Sequence, residues 1–74
     1  MAEYNGHRSW NAWNVSLWIN NDEGLYNMAL DQVKAHGRGK AARIIAHDLA
    51  GEKTPDGARY NRTCIYEALE GMAE

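Results

Sequence analysis

Ser9-Trp10-Asn11-Ala12-Trp13-Asn14-Val15-Ser16-Leu17-Trp18-Ile19-Asn20-Asn21-Asp22 is the stretch whose reading decides the fold. It holds all three tryptophans of the 74-residue chain and no charged residue before Asp22. A large aromatic side chain buries roughly 150 to 250 Å², so the core is expected to form here, with Trp13 and Leu17 inside it. Two periods compete for the assignment. From Trp13 to Asn20 the residues alternate, with Trp13, Val15, Leu17 and Ile19 on one side and Asn14, Ser16, Trp18 and Asn20 on the other, which is a strand pattern. Helical spacing instead places Trp10, Trp13, Asn14, Leu17 and Trp18 on one broad stripe, widened by Ala12, Val15 and Ile19, with Ser9 as N-cap. The helix is preferred. A lone strand needs partners, and the chain has neither a second clearly alternating run nor an Asn-Gly hairpin between two such runs.

Outward from this stretch the chain reads as further short helices. Asn20-Asn21-Asp22 is a turn and cap signal, and Asp22 with Glu23 places negative charge where a helix N-terminus favours it. A second helix is expected from about Asp22 to His36, on the spacing of Leu25, Met28, Ala29 and Val33 flanked by Tyr26 and Leu30, with Gly37 as its C-cap. Gly37-Arg38-Gly39-Lys40 reads as a flexible basic connection. A third helix follows from Gly39 or Lys40 to about Ala50, with Ala41, Ala42, Ile44, Ile45, Asp48 and Leu49 on its buried side and Lys40, Arg43 and His47 off it. Gly51 stops it. Thr54-Pro55-Asp56-Gly57 is a turn signal, because proline presets its dihedral and glycine accepts positive values. The last helix is expected from Asn61 or Arg62 to Met72, with Ile65, Leu69 and Met72 as its stripe and Cys64 and Ala68 alongside. Residues 1 to 8 read as an irregular arm, with Tyr4 folding back onto the tryptophans. The expected architecture is therefore all-α: a single small domain over residues 1–74, built as a compact bundle of about four short helices around a tryptophan-rich core.

Composition narrows the function classes. A chain this short buries only about 60% of its unfolded surface on folding, which makes stability modest and a homodimer compatible with the sequence. The formal net charge of -2 argues against a generic nucleic-acid coat and against a strongly acidic DNA mimic. The single cysteine, Cys64, has no internal disulfide partner, no apolar run approaches the roughly 20 residues of a membrane span, and MAEYNGHRS lacks the hydrophobic region of a signal peptide. A reducing, cytoplasmic setting without membrane contact is expected.

Trp13-Asn14-Val15-Ser16-Leu17-Trp18-Ile19, followed by Asn21-Asp22-Glu23-Gly24-Leu25-Tyr26, resembles the "ETWNVALWI.NDEG.Y" signature of small, mostly uncharacterised proteins encoded by bacteriophages and other mobile elements. The sequence departs just before it, with Trp10-Asn11-Ala12 where the pattern has Tyr-Glu-Thr. The resemblance implies a source, and through it a bacterial host whose cytoplasm is the working compartment; it implies no activity.

Each functional candidate has a plain structural counterpart. Asn14 on the aromatic stripe is expected to be buried and bonded to a loop backbone such as that near Asn20 or Pro55, since a buried amide without a partner is costly. Trp10 and Trp18 are the candidates for exposed anchors at a partner-binding surface. Glu67, Glu70 and Glu74 share one side of the last helix by their three- and four-residue spacing, which offers an acidic patch to a basic partner. Lys34, His36, Arg38, Lys40 and Arg43 form a run with no acidic residue inside it, and two glycines let its backbone approach an anion. Gly37-Arg38-Gly39-Lys40-Ala41 is neither a Walker loop nor a dinucleotide fingerprint. His7, His36 and His47 lack the spacing of a helical metal site, and Cys64 stands in an apolar helix, so no catalytic residue, metal or cofactor is expected. The leading expectation is stoichiometric binding to a host protein, such as a component of a CRISPR-Cas or restriction complex that the protein would inhibit, through Trp10, Trp18, Glu67, Glu70 and Glu74. The alternative is a nucleic-acid-binding regulator using Lys34, Arg38, Lys40 and Arg43, against which the near-neutral charge counts.

Overall fold

The computed structural model describes residues 9–72 and contains α1 (Trp10–Asn21), α2 (Glu23–His36), α3 (Arg38–Asp48) and α4 (Arg62–Ala68). The fold is an all-α bundle, and the stretch 13–19 is helical. The arm expected over residues 1–8 lies outside the described residues.

The helix boundaries follow from local chemistry. Ser9 has extended backbone, and its hydroxyl accepts the Ala12 N–H at 3.1 Å, so the first turn is capped although Trp10-Asn11-Ala12 stand where the resembled signature differs. Asp22 closes α1 and opens α2: its backbone N–H donates to the Trp18 carbonyl while its side chain accepts the Leu25 N–H at 2.9 Å. That dual role needs a residue with extended backbone and a short acceptor side chain. Gly37 alone separates α2 from α3, with φ 87°, a conformation that L side chains rarely adopt. The expected flexible connection at 37–40 is therefore a single-residue corner, and Arg38, Gly39 and Lys40 form the first turn of α3. α3 ends at Asp48, earlier than expected, and the chain then turns through Gly51 at φ 84°. α4 is capped by Asn61, whose side chain accepts the Cys64 N–H at 2.9 Å. It ends at Ala68 rather than Met72; beyond it, turn bonds such as Met72 N–H to the Leu69 carbonyl at 3.0 Å still carry Leu69 and Met72 inward.

Among the described residues the helices pack as a closed ring, α1 on α2, α2 on α3, α3 on α4 and α4 on α1. The segment between α3 and α4 folds as a turn pinched by an antiparallel bridge between Lys53 and Arg59 and lies against α1. The core differs from the expected one. Its members are Ala12, Val15 and Ile19 of α1, Ala29 and Val33 of α2, Ala41, Ala42 and Ile45 of α3, then Ala58, Cys64, Ile65, Ala68, Leu69 and Met72. No tryptophan is among them. Leu17 is 38% exposed and Trp13 only half-buried, which corrects the placement of both in the core. The physical reason is the size of the interior. Short helices bring their backbones together over alanines, and the side of α1 that carries Ala12, Val15 and Ile19 meets that need where indole rings would hold the helices apart.

Candidate binding surfaces

One flank of α1 is occupied by the loop that joins α3 to α4. The Asn11 side chain accepts the Arg59 N–H at 2.9 Å and donates to the Arg59 carbonyl at 2.9 Å, so it pairs with that backbone as a neighbouring strand would. Its amide also lies 3.3 Å from the Cys64 sulfur, whose thiol is buried as expected. Asn14 is buried and bonded to the loop around Pro55: its Oδ1 accepts from the Thr54 hydroxyl at 2.6 Å and its Nδ2 donates to Asp56 at 3.0 Å. Thr54 in turn accepts the Ala58 N–H at 2.9 Å. The same Asp56 oxygen accepts the Trp18 indole N–H at 3.0 Å. These two bonds, that of Asn14 first, hold the Asp56 carboxyl below its usual range, against a small opposing effect of burial. Trp18 is half-buried and its polar edge is already engaged, so this flank is a structural lock.

The adjoining side of α1, turned away from the core residues Ala12, Val15 and Ile19, is open. Trp10 is 40% exposed, Leu17 is exposed, and Trp13 between them is half-buried. Their i, i+3, i+7 spacing puts all three on one stripe. α1 contains no charged residue, so the stripe is uncharged as well as apolar. Of the two tryptophans expected to act as anchors, the structure exposes Trp10 and ties Trp18 down. Trp13 and Leu17, assigned to the core by sequence, join Trp10 instead.

The acidic candidates are dispersed. Glu67 is half-buried, Glu70 is exposed on the turn after α4, and Glu74 lies outside the described residues. Because α4 stops at Ala68, the α-helical spacing that would align the three glutamates extends only over Glu67.

The basic candidates fall at the corner where α2 meets α3. Lys34, Lys40 and Arg43 are exposed. Arg38 is not a solvated loop residue: its Nε donates to the Tyr66 carbonyl at 2.8 Å and its guanidinium sits 3.9 Å from the centroid of the Tyr66 ring, which fastens α3 to α4. Among the described residues no side chain caps α3, leaving its first-turn N–H groups without that partner. Beside this corner is a cavity of about 280 Å³ lined by Gly39, Arg62, Thr63 and Tyr66. Arg62 and Tyr66 were missed by sequence reasoning. A signal was present, since residues 57 to 66 carry Arg59 and Arg62 without an acidic residue, but nothing in the sequence places that run beside Arg38 and Gly39.

A second cavity of about 190 Å³ is lined by Gly51, Glu52, Lys53, Arg59, Tyr60 and Asn61. Partial burial, then the charges of Asp22 and Glu52, push the Tyr60 hydroxyl up from its usual range. Its walls carry both signs of charge and select no ligand class. Among the described residues no group of three or more His, Cys, Asp or Glu side chains is placed to hold a metal ion, and no helix is long and apolar enough to cross a membrane.

The family model that matches this chain spans residues 1–74, so the lock, the open stripe and the basic corner all lie within the matched region. The chain belongs to DUF7249, a family of unknown function. Comparison of this DUF7249 protein with curated proteins and with solved structures gives no match.

Proposed function

We propose that this DUF7249 protein acts by stoichiometric binding to a partner protein, with the open flank of α1 as the contact. The observation that supports this reading is the exposed stripe of Trp10, Trp13 and Leu17 on a helix without charge. Tryptophan is the residue type most enriched among interface anchors, and truncating such an anchor acts mainly on dissociation. Trp18 supports the surface from behind through Asp56 rather than serving as an anchor. Glu67 and Glu70 have a rim role, in which charge affects the rate of association with a basic partner more than the lifetime of the complex.

The likeness of residues 13–26 to phage and mobile-element proteins supports a bacterial host protein as the partner. A component of a defence system, CRISPR-Cas or restriction, is the target we favour, with the protein as inhibitor and the host cytoplasm as the compartment. Binding without turnover fixes the test. Inhibition of the defence complex should saturate near one copy of the protein per target site, and Trp10→Asp combined with Leu17→Asp should abolish it while helical content and melting temperature hold. Inhibition at far fewer copies than targets, or full inhibition by the double variant, would overturn the reading.

A further inference from the structure

We propose that the groove between α3 and α4 binds single-stranded nucleic acid, holding one nucleotide unit against Tyr66 with its phosphates on the arginine side chains that border the groove. This surface is separate from the open flank of α1, and the inference does not rest on the protein-binding reading.

Three observations combine. First, the structure joins two stretches without acidic residues, 32 to 47 and 57 to 66; from them Arg38, stacked on Tyr66, and Arg62 stand at the groove, while Arg59 lines the other cavity. Gly39 from the first and Arg62 from the second line the same cavity. Arg43 is one helical turn beyond Gly39 on the same side of α3 and extends the positive wall. The chain as a whole is slightly acidic, whereas the charged side chains at this groove are arginines, with Glu67 the acid next to Tyr66 in sequence; such a local cluster attracts a polyanion without making the protein a general coat.

Second, an aromatic ring is presented within that field. Tyr66 is 44% exposed although it lines the cavity, and Arg38 stacks on it and also bonds its carbonyl, so ring and guanidinium are held in place before a ligand arrives. A fixed ring among cations is the arrangement on which bases of a single strand stack, because every base offers a π face, whereas the bases of a duplex are already stacked on each other. An acidic peptide would satisfy the cations and leave the ring unused.

Third, the groove is open because residue 39 is glycine. A Cβ built there lies 4.0 Å from Tyr66 Cε1, in ordinary contact, so any longer side chain projects into the space that the ligand needs. Gly39 is inside the first turn of α3 and has no positive φ, so its backbone does not require glycine. A helix interior favours other residues over glycine. Space, rather than conformation, is what glycine provides at this position.

The test is fluorescence anisotropy of a labelled oligothymidylate titrated with the full chain, with unlabelled duplex DNA and polyglutamate as competitors. The oligothymidylate should bind at low salt. With about three phosphate contacts, affinity should fall about twentyfold between about 50 and 200 mM salt. Gly39→Gln should weaken binding at least about tenfold, as should Tyr66→Ala, a loss within the range for one stacked base. Gly39→Gln should melt no lower than the parent, which separates blocking of the groove from unfolding. Arg62→Ala should weaken binding and flatten the salt dependence, while Tyr66→Phe, which keeps the ring, and Trp10→Ala, which lies on α1, should bind as the parent does. The proposal is overturned if no oligothymidylate binds at low salt, or if Gly39→Gln and Arg62→Ala bind like the parent. It is also overturned if duplex DNA competes as well as the single strand, or if polyglutamate competes equally, which would assign the groove to an acidic peptide.

Discussion

The two flanks of α1 are built from similar residues and have opposite fates. On one, Asn11, Asn14 and Trp18 are engaged by the loop 54–59; on the other, Trp10, Trp13 and Leu17 face outward. What separates them is polar partnership. Asn14 is buried because Thr54 and Asp56 satisfy its amide, and Trp18 is held because Asp56 accepts its N–H. Trp10 and Leu17 are apolar enough to be buried, but the helix ring is closed without them by Ala12, Val15 and Ile19 from the other side of α1. Burial in a protein this small goes to the side chains that fit between closely spaced backbones, and area alone does not decide it.

The sharpest contrast should come from the inward side of the same helix. Ile19→Ala deletes a fully buried side chain at the centre of the ring and should cost about 2 to 5 kcal/mol, read from urea or thermal unfolding. A cost as small as that of an exposed site would place the core elsewhere.

Next in size is the lock. Asn14→Ala leaves the buried Thr54 hydroxyl without its acceptor and frees Asp56 from one donor, and should cost about 1 to 3 kcal/mol. If the loop is fastened to α1 through this amide, hydrogen exchange at the Ala58 and Arg59 amides should speed up in the variant before the helices open. Unchanged protection there would mean that Asn11 and Trp18 hold the loop without Asn14.

A smaller effect is expected from acid. The Asp56 carboxyl has its pKa lowered in the folded state by Asn14 and Trp18, so it contributes stability that is present above the unfolded value, near 3.9, and is lost as pH falls through the folded one. Asp56→Asn should therefore be less stable than the parent at neutral pH and should lose less stability on acidification to about pH 3. Parallel stability-against-pH curves for the two proteins would remove Asp56 from the lock.

Smallest of all should be the open flank. Leu17→Ala and Trp10→Ala are each expected to change stability by no more than about 0.5 kcal/mol, the usual range for surface sites. Melting scans alongside Ile19→Ala put the two sides of α1 on one scale. A large loss at Trp10 would show that the stripe is covered within the molecule.

Local chemistry in the sequence was enough to place the helices. Ser9 and Asp22 as N-caps, Gly37 as a stop and the turn at Thr54–Gly57 act through bonds to residues three or four positions away, so their effect is readable one residue at a time; the capping by Asn61 works the same way but was read only as the start of the last helix. The stripes of α2 and α4 were legible for the same reason, and so was the burial of Asn14, since a buried amide demands a partner, but not that its partners are the side chains of Thr54 and Asp56 rather than a loop backbone. The tertiary structure alone decided which side of α1 turns inward, because Ala12-Val15-Ile19 and Trp13-Leu17 are both apolar at helical spacing and only the closeness of α2 and α4 separates them. It also decided that Arg38 and Tyr66, 28 residues apart, share one contact, and that Gly39 and Arg62 border one cavity. Those juxtapositions depend on the packing of α3 against α4, a relation between distant segments that no local spacing encodes.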